Sequence, residues 1–296
     1  MDHGSGRTEL AVHRESLRLI ETVKSSRGEI DSVDTCMVTL TYDGWDAPAG
    51  ARMALDGAVH DWIGKAAGRP TWELFRMPRT LGPTVYTISM AGPDEAVSAV
   101  RKAPDVGALK VKVGGPDDLE ALEAIRAVTA LPVRIDANEA WDLDTARALT
   151  PRLRQLGIQL IEQPFPTTAV DDYHRYREFP DRLPVFLDEG CTDVDSVLAA
   201  RSYADGIVVK LCKAGGIRGA RKVMEAGREA GLRTMLSCMC ESELAISQAA
   251  QLAPLADHID MDGHLYLSDP PFRGLGLHDR SIVLGDEPGL GVRPSR

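Results

Sequence analysis

From Thr84 onward the chain alternates short β-branched apolar runs with amphipathic helical stretches, and this alternation restricts the fold more than any other feature. The runs are TVYTISM, ALKVKVG, PVRIDAN, IQLIEQP, PVFLDEG, GIVVKLC, RTMLSCM and HIDMDG. Between them lie stretches such as DDLEALEAIRAV, TARALTPRLRQLG and IRGARKVMEAGREAG, with apolar residues at helical spacing. Apolar strands separated by helices belong to a parallel sheet with helical cover. Eight of them imply a closed (β/α) barrel. The structural rival is an open doubly wound sheet, but no G-x-G-x-x-G follows the first strand, as a dinucleotide-binding version would need. The 296 residues leave room for a small addition, since a barrel takes ~250 residues.

Before Thr84, LAVHRESLRLIE and DTCMVTLTYDG read as strands, and Asp43-Gly44 as a turn. AGARMALDGAVHDWIGKAAG reads as a helix that stops at Gly68 and Pro70. The Gly/Pro-rich tail from Pro270 reads as irregular structure returning to the N-terminal part. The formal net charge of −10 argues against nucleic acid as a partner. No apolar run is long enough to span a membrane, and the first residues hold no apolar h-region. Five cysteines, an odd count without a C-x-x-C pair, fit a reduced, cytoplasmic protein better than a disulfide framework or a zinc site.

Charged residues collect at the C-terminal ends of the strands, which in a barrel form the catalytic face. They are Lys110 and Lys112 on the second strand, Asp136 and Asn138 on the third, Glu162 on the fourth, Asp188 on the fifth and Lys210 on the sixth. Asp260 and Asp262 stand on the eighth. Asp136, Glu162 and Asp188 are spaced by 26 residues each, close to the ~30 residues of one strand-plus-helix unit. Three carboxylates on consecutive strands repel one another unless a cation joins them. Ligation by oxygen alone suits a hard ion such as Mg²⁺. The plainer reading makes each acid a helix cap or a surface charge. The second and sixth strands are four apart in a ring of eight, so Lys112 and Lys210 face each other across the mouth. They either neutralise the carboxylates or act as two bases on opposite faces of one bound carbon. Lys110 and a nearby cation would both depress the Lys112 pKa, as a general base near neutral pH requires.

The series KVK, RIDAN, IEQP, LDEG and VVKLCKAGGI resembles the enolase superfamily, muconate-lactonizing subgroup. The resemblance implies a modified (β/α) barrel with an α+β cap built from both chain ends. It implies residues 1–80 as the cap, 81–268 as the catalytic barrel and 269–296 as a segment returning to the cap. It further implies Mg²⁺ on Asp136, Glu162 and Asp188, with Asn138 and Glu189 supporting these ligands. Lys112 and Lys210 would act as acid/base residues assisted by Lys110, abstracting the α-proton of a carboxylate to give an enolate. The DMDG of Asp260 and Asp262 is similar to the D-x-D signature of dipeptide epimerases, which holds a substrate ammonium. Arg27 resembles the cap-loop arginine that meets an acidic substrate side chain, and Thr87 a first-strand threonine near the substrate carboxylate. One departure stands out. Trp45-Asp46-Ala47-Pro48 leads almost directly into the helix, so the cap looks shortened.

The leading expectation is therefore a Mg²⁺-dependent dipeptide epimerase with a small-molecule substrate and no nucleic-acid or membrane partner. A homo-oligomer is compatible with it. The alternatives keep the metal and change the reaction, to racemisation of N-succinylamino acids, o-succinylbenzoate synthesis or muconate-type cycloisomerisation. More distant ones are a Schiff-base aldolase using Lys112 or Lys210 and a barrel without catalytic activity.

Overall fold

The computed structural model describes residues 11–26, 28–39 and 48–295. It opens with an antiparallel hairpin, β1 (Ala11–Ser25) and β2 (Gly28–Thr39). Helix α1 (Ala49–Ala67) follows and ends at Gly68, whose φ of 64° suits glycine. A short α2 (Thr71–Leu74) and strand β3 (Thr80–Pro83) lead into the barrel. Its first half is β4 (Val85–Ile88), α3 (Pro93–Lys102), β5 (Ala108–Lys112), α4 (Leu119–Val128), β6 (Val133–Asp136), α5 (Leu143–Gln155) and β7 (Ile158–Glu162). The second half is α6 (Val170–Arg177), β8 (Val185–Leu187), α7 (Val194–Ala200), β9 (Gly206–Lys210), α8 (Leu211–Ala214), α9 (Ile217–Glu229), β10 (Arg233–Ser237), α10 (Glu243–Ala250) and β11 (His258–Asp260). The tail carries β12 (Phe272–Arg273), β13 (Gly276–His278), β14 (Ser281–Val283) and β15 (Arg293–Pro294).

The eight strands expected from the apolar runs are the eight strands β4 to β11, all parallel and neighbours in chain order. Each is shorter than its run, because the last residues of a run leave the sheet and form the loops of the mouth. Side chains alternate along every strand. Leu109, Val111, Ile135, Ile161, Leu187 and Ile207 point outward under the helices and are fully buried there. Inside the barrel, Leu160, Phe186, Val208 and Met235 form their own apolar cluster. Gly206 makes room for it: a Cβ there would lie 2.4 Å from the Phe186 ring. The barrel is thus plugged beneath its polar mouth, as a packed core and not a pore.

No strand ladder joins β11 to β4; side chains make the seam. The Thr87 N–H donates to Asp262 Oδ2 at 2.6 Å and to the Tyr266 hydroxyl oxygen at 2.9 Å. The Tyr266 hydroxyl donates to Thr87 O at 2.6 Å, and the Met261 N–H donates to Thr84 Oγ1 at 3.1 Å. These bonds close the ring at the height of the mouth. The tail returns over the N-terminal elements: β14 pairs with β3, the Trp72 indole N–H donates to Gly285 O, and the Thr71 N–H donates to Gly289 O. Gly64 permits the approach, since a Cβ there would come within 2.5 Å of Gly289 Cα. Among the described residues no helix is long and apolar enough to cross a membrane.

Because the Tyr266 hydroxyl bonds both the N–H and the C=O of Thr87, Tyr266→Phe takes the donor from that part-buried carbonyl. Urea denaturation should show a loss of about 1–3 kcal/mol. An unchanged midpoint would remove Tyr266 from the seam.

Candidate active site

The mouth is built from the residues at which the strands end. Asp136 pairs in register with Lys112 on one side and with Glu162 on the other. Glu162 pairs with Phe186, so Asp188 stands two residues further along its own strand. That stagger is the shear of a tilted barrel, and it brings the third carboxylate round at the rim. Asp136 is 0% exposed, Glu162 1% and Asp188 1%. Immediately after the first two, the chain turns through left-handed residues: Asn138 has φ 43° and Gln163 φ 39°. One turn is tied back to a carboxylate and the other to the backbone of Asp188. The Asn138 N–H donates to Asp136 Oδ1 at 3.0 Å, and Gln163 Oε1 accepts from the Asp188 N–H at 2.9 Å.

Four lysines meet these acids. Lys110 Nζ lies 2.9 Å from Glu162 Oε1, 2.9 Å from Asp260 Oδ2 and 3.1 Å from Asp136 Oδ2. Lys112 Nζ donates to Asp136 Oδ2 at 2.7 Å and Asn138 Oδ1 at 2.9 Å. On the opposite side Lys210 Nζ donates to Asp188 Oδ2 at 2.9 Å, while Lys213 holds the other oxygen, Oδ1, at 2.7 Å. Asn138 Nδ2 reaches Glu189 Oε1 at 3.4 Å. Asp260 also accepts from the Ser237 hydroxyl at 3.0 Å. The sequence-predicted lysines, metal-site acids, Asn138, Glu189 and Asp260 are therefore brought together. Asp262 sits beside them but spends Oδ2 on the seam, and Thr87 enters through its backbone N–H. Arg27 lies outside the described residues. Its neighbour Ser26 donates its hydroxyl to Ala137 O and Asn138 O, each at 3.0 Å, so this part of the hairpin turn rests on the rim beside Asp136. Next to it a cleft of about 260 Å³ opens, lined among others by Lys24, Ser89, Met90 and Glu95.

Lys213 was not among the expected residues, although its place three positions after Lys210 at the start of a helix puts it at the same strand end. Ser237 and Tyr266 carry no such signal: strand pairing brings Ser237 to Asp260, and Tyr266 reaches Asp262 from four residues further along the chain.

The electrostatics are those of a crowded, buried charge cluster. Burial pulls the Lys110 and Lys210 ammonium groups toward neutrality. The carboxylates outweigh it, Asp260 first for Lys110 and Asp188 for Lys210, and both stay above the ordinary lysine range. Burial raises Asp136 and Asp188, but their lysine partners hold both below the ordinary carboxylate range. Glu162 goes the other way: burial and then the Asp136 charge push it up to about 8. Burial and Asp260 push Asp262 up to about 6. Glu162 Oε2 is buried without a hydrogen-bond partner. Five carboxylates thus share the mouth with four ammonium groups. Among the described residues no three ligands already converge as they would around a metal, because the lysines occupy the space between them. An all-oxygen donor set, an unpartnered buried Oε2 and the carboxylate excess nevertheless suit a hard divalent cation on Asp136, Glu162 and Asp188.

The family model described as enolase C-terminal domain-like matches residues 94–296. The chain is 37% identical over 245 residues to the L-Ala-D/L-Glu epimerase of Bacteroides thetaiotaomicron, covering 82% of this chain and 64% of that protein. It therefore spans about two thirds of that relative's length. Its fold is similar to that of the L-Ala-D/L-Glu epimerase from Bacillus subtilis in a substrate-liganded complex, with a TM-score of 0.86, 24% identity, and coverage of 97% of this chain and 98% of that one. A dipeptide epimerase from Methylococcus capsulatus complexed with Mg ion superposes with a TM-score of 0.80 at 26% identity, covering 96% of this chain and 98% of that one.

A divalent cation binds the ionised form of Glu162 and must displace its proton. Below about 8, where Glu162 is protonated, apparent cation affinity should rise with pH, by at most about tenfold per unit, and level off above that. Calorimetric titration with Mg²⁺ at pH 6, 7 and 9 measures this. Equal affinities at all three would show that Glu162 carries no proton to displace.

Proposed function

The chain belongs to the enolase C-terminal domain-like family, and on that premise we propose that it is a Mg²⁺-dependent dipeptide epimerase. The observation that carries this reading is the pair of lysines, Lys112 and Lys210, anchored at opposite sides of the carboxylate cluster on strands four apart in the ring. One bound carbon between them can lose its proton to one lysine and regain it from the other. The Mg²⁺ bound to the Methylococcus relative matches the ligand set suggested by Asp136, Glu162 and Asp188. When bound, such a cation supplies electrostatic stabilisation for the negative charge that develops on a substrate carboxylate.

The protein's own groups do the rest. Asp136 and Asp188, with Glu162, would hold the cation, and Lys112 and Lys210 now bind oxygens of the first two. Without those carboxylate contacts the two lysines would lose the interaction that favours their charged form. Lys110 is bridged among Glu162, Asp260 and Asp136 and places a positive charge beneath the reacting centre. Asn138 holds both Asp136 and Lys112. Asp260 and Asp262 supply negative charge at the far side of the mouth, where a dipeptide ammonium fits. The same reading assigns residues 1–80 to a cap completed by 269–296, and 81–268 to the catalytic barrel. The hydrogen bonds from Thr71 and Trp72 to the tail support that division. Among the described residues Cys191, Cys212, Cys238 and Cys240 are free, as in the cytoplasm.

One observation favours a second reading. Asp262 Oδ2 is engaged by Thr87 and Tyr266, and Asp260 Oδ2 by Lys110 and Ser237. If the remaining oxygens do not take an ammonium, the substrate is an N-acyl amino acid and the reaction its racemisation.

Both readings are tested by α-proton exchange in D₂O with Mg²⁺, using free and N-acetylated dipeptides of each configuration. Lys112→Ala should stop exchange from one enantiomer and Lys210→Ala from the other, by at least about a hundredfold. Loss of the same enantiomer in both variants would defeat the two-base assignment. Faster exchange of the acetylated substrates than of the free ones would transfer the assignment to the racemase reading.

A further inference from the structure

Lys210 Nζ has a second contact besides Asp188: Met239 Sδ lies 3.6 Å away. Met239 is unusual in its surroundings. It is 48% exposed, whereas Lys210 is 7% exposed, Asp188 1% and Asp262 4%. Its backbone nevertheless packs closely against a neighbouring loop. The carboxyl of Glu241, two residues further on, is pushed up by burial. The Met239 carbonyl is pressed against Gly263, where an added Cβ would lie 1.9 Å from Met239 O. The preceding residue is tied to the same glycine, as the Gly263 N–H donates to Cys238 Sγ at 3.4 Å. A thioether therefore lies on the rim, half exposed to solvent and touching the amine proposed as one of the two bases.

We propose that Met239 is the positioning residue for Lys210, the group that keeps Nζ at the mouth once a cation has taken Asp188. This inference rests on the proposed function for its cation and its substrate. Asp188 cannot serve both: its Oδ1 is held by Lys213 and its Oδ2 by Lys210, and a divalent cation on either oxygen repels the Lys210 ammonium. Lys210 then needs another contact, because a four-carbon side chain without one spreads over many rotamers. Sulfur is a weak, polarizable acceptor that can meet an amine in either protonation state without binding it as tightly as a carboxylate. Lys112 has no such need, since Asn138 Oδ1 holds its Nζ at 2.9 Å independently of Asp136. The two bases are thus each given one neutral partner, an amide oxygen on one face and a thioether on the other.

Two measurements on the full chain decide it. The first is a crystal structure of the Mg²⁺-loaded protein and of Met239→Leu, which keeps the apolar volume and removes the sulfur. Lys210 Nζ should leave Asp188 and remain within contact distance, ~4 Å, of Met239 Sδ in the wild type, and should occupy more than one rotamer in the variant. The second is exchange from each enantiomer. Met239→Leu should slow the face served by Lys210 by about three- to tenfold, with KM and the face served by Lys112 unchanged. Lys210 still on Asp188 in the Mg²⁺-loaded protein, or equal losses on both faces, would overturn the proposal. If the wild type exchanges no dipeptide, the functional reading fails, while the crystal structures still decide the role of Met239.

Discussion

Like charges in a protein interior must be compensated where they stand, and the barrel mouth is organised by that requirement. Asp136, Glu162 and Asp188 are buried on consecutive strands, with Asp260 and Asp262 closing the ring behind them. Isolated buried carboxylates would protonate instead of remaining charged. Here Asp136 and Asp188 stay ionised because lysines reach both, whereas Glu162 and Asp262, less well compensated, are pushed toward the protonated form. The lysines are in turn kept charged by the acids. A cation added to such a set would compete with the lysines for the same carboxylate oxygens.

The rest of the fold holds this cluster in place. The apolar plug of Leu160, Phe186, Val208 and Met235 keeps the barrel interior dry beneath the charges, which strengthens every interaction above it. The seam between β4 and β11 is made by Asp262, Tyr266 and Thr84 and not by a strand ladder. One carboxylate of the D-x-D pair therefore has a part in closing the barrel. The hairpin turn is fastened to the same rim by Ser26, so the N-terminal element and the site are mechanically connected.

Much of this was legible in the sequence because barrels translate spacing into position. The constant interval between Asp136, Glu162 and Asp188 reflects one strand-plus-helix unit, and alternation along a strand turns Lys110, Lys112 and Lys210 inward with the acids. The eight apolar runs became the eight strands for the same reason. What sequence could not provide was contact between residues brought together by ring closure or by strand pairing. Tyr266 and Thr87 are 179 positions apart, and Ser237 reaches Asp260 only because β10 and β11 are adjacent. The side chain of Met239 was invisible too, since an exposed methionine after a strand carries no pattern. Lys213 could have been found from its place in VVKLCKAGGI, but nothing in that motif says that it takes the second oxygen of Asp188.

The central claim is that the carboxylate cluster binds a cation and that the cation enables proton transfer at a substrate α-carbon. It is tested most directly by following deuterium incorporation from D₂O into a panel of dipeptides by proton NMR, with metal-stripped protein before and after addition of Mg²⁺. The account predicts no incorporation by the stripped protein and its appearance at a single α-carbon once Mg²⁺ is restored. Incorporation at an undiminished rate by the metal-stripped protein would contradict it.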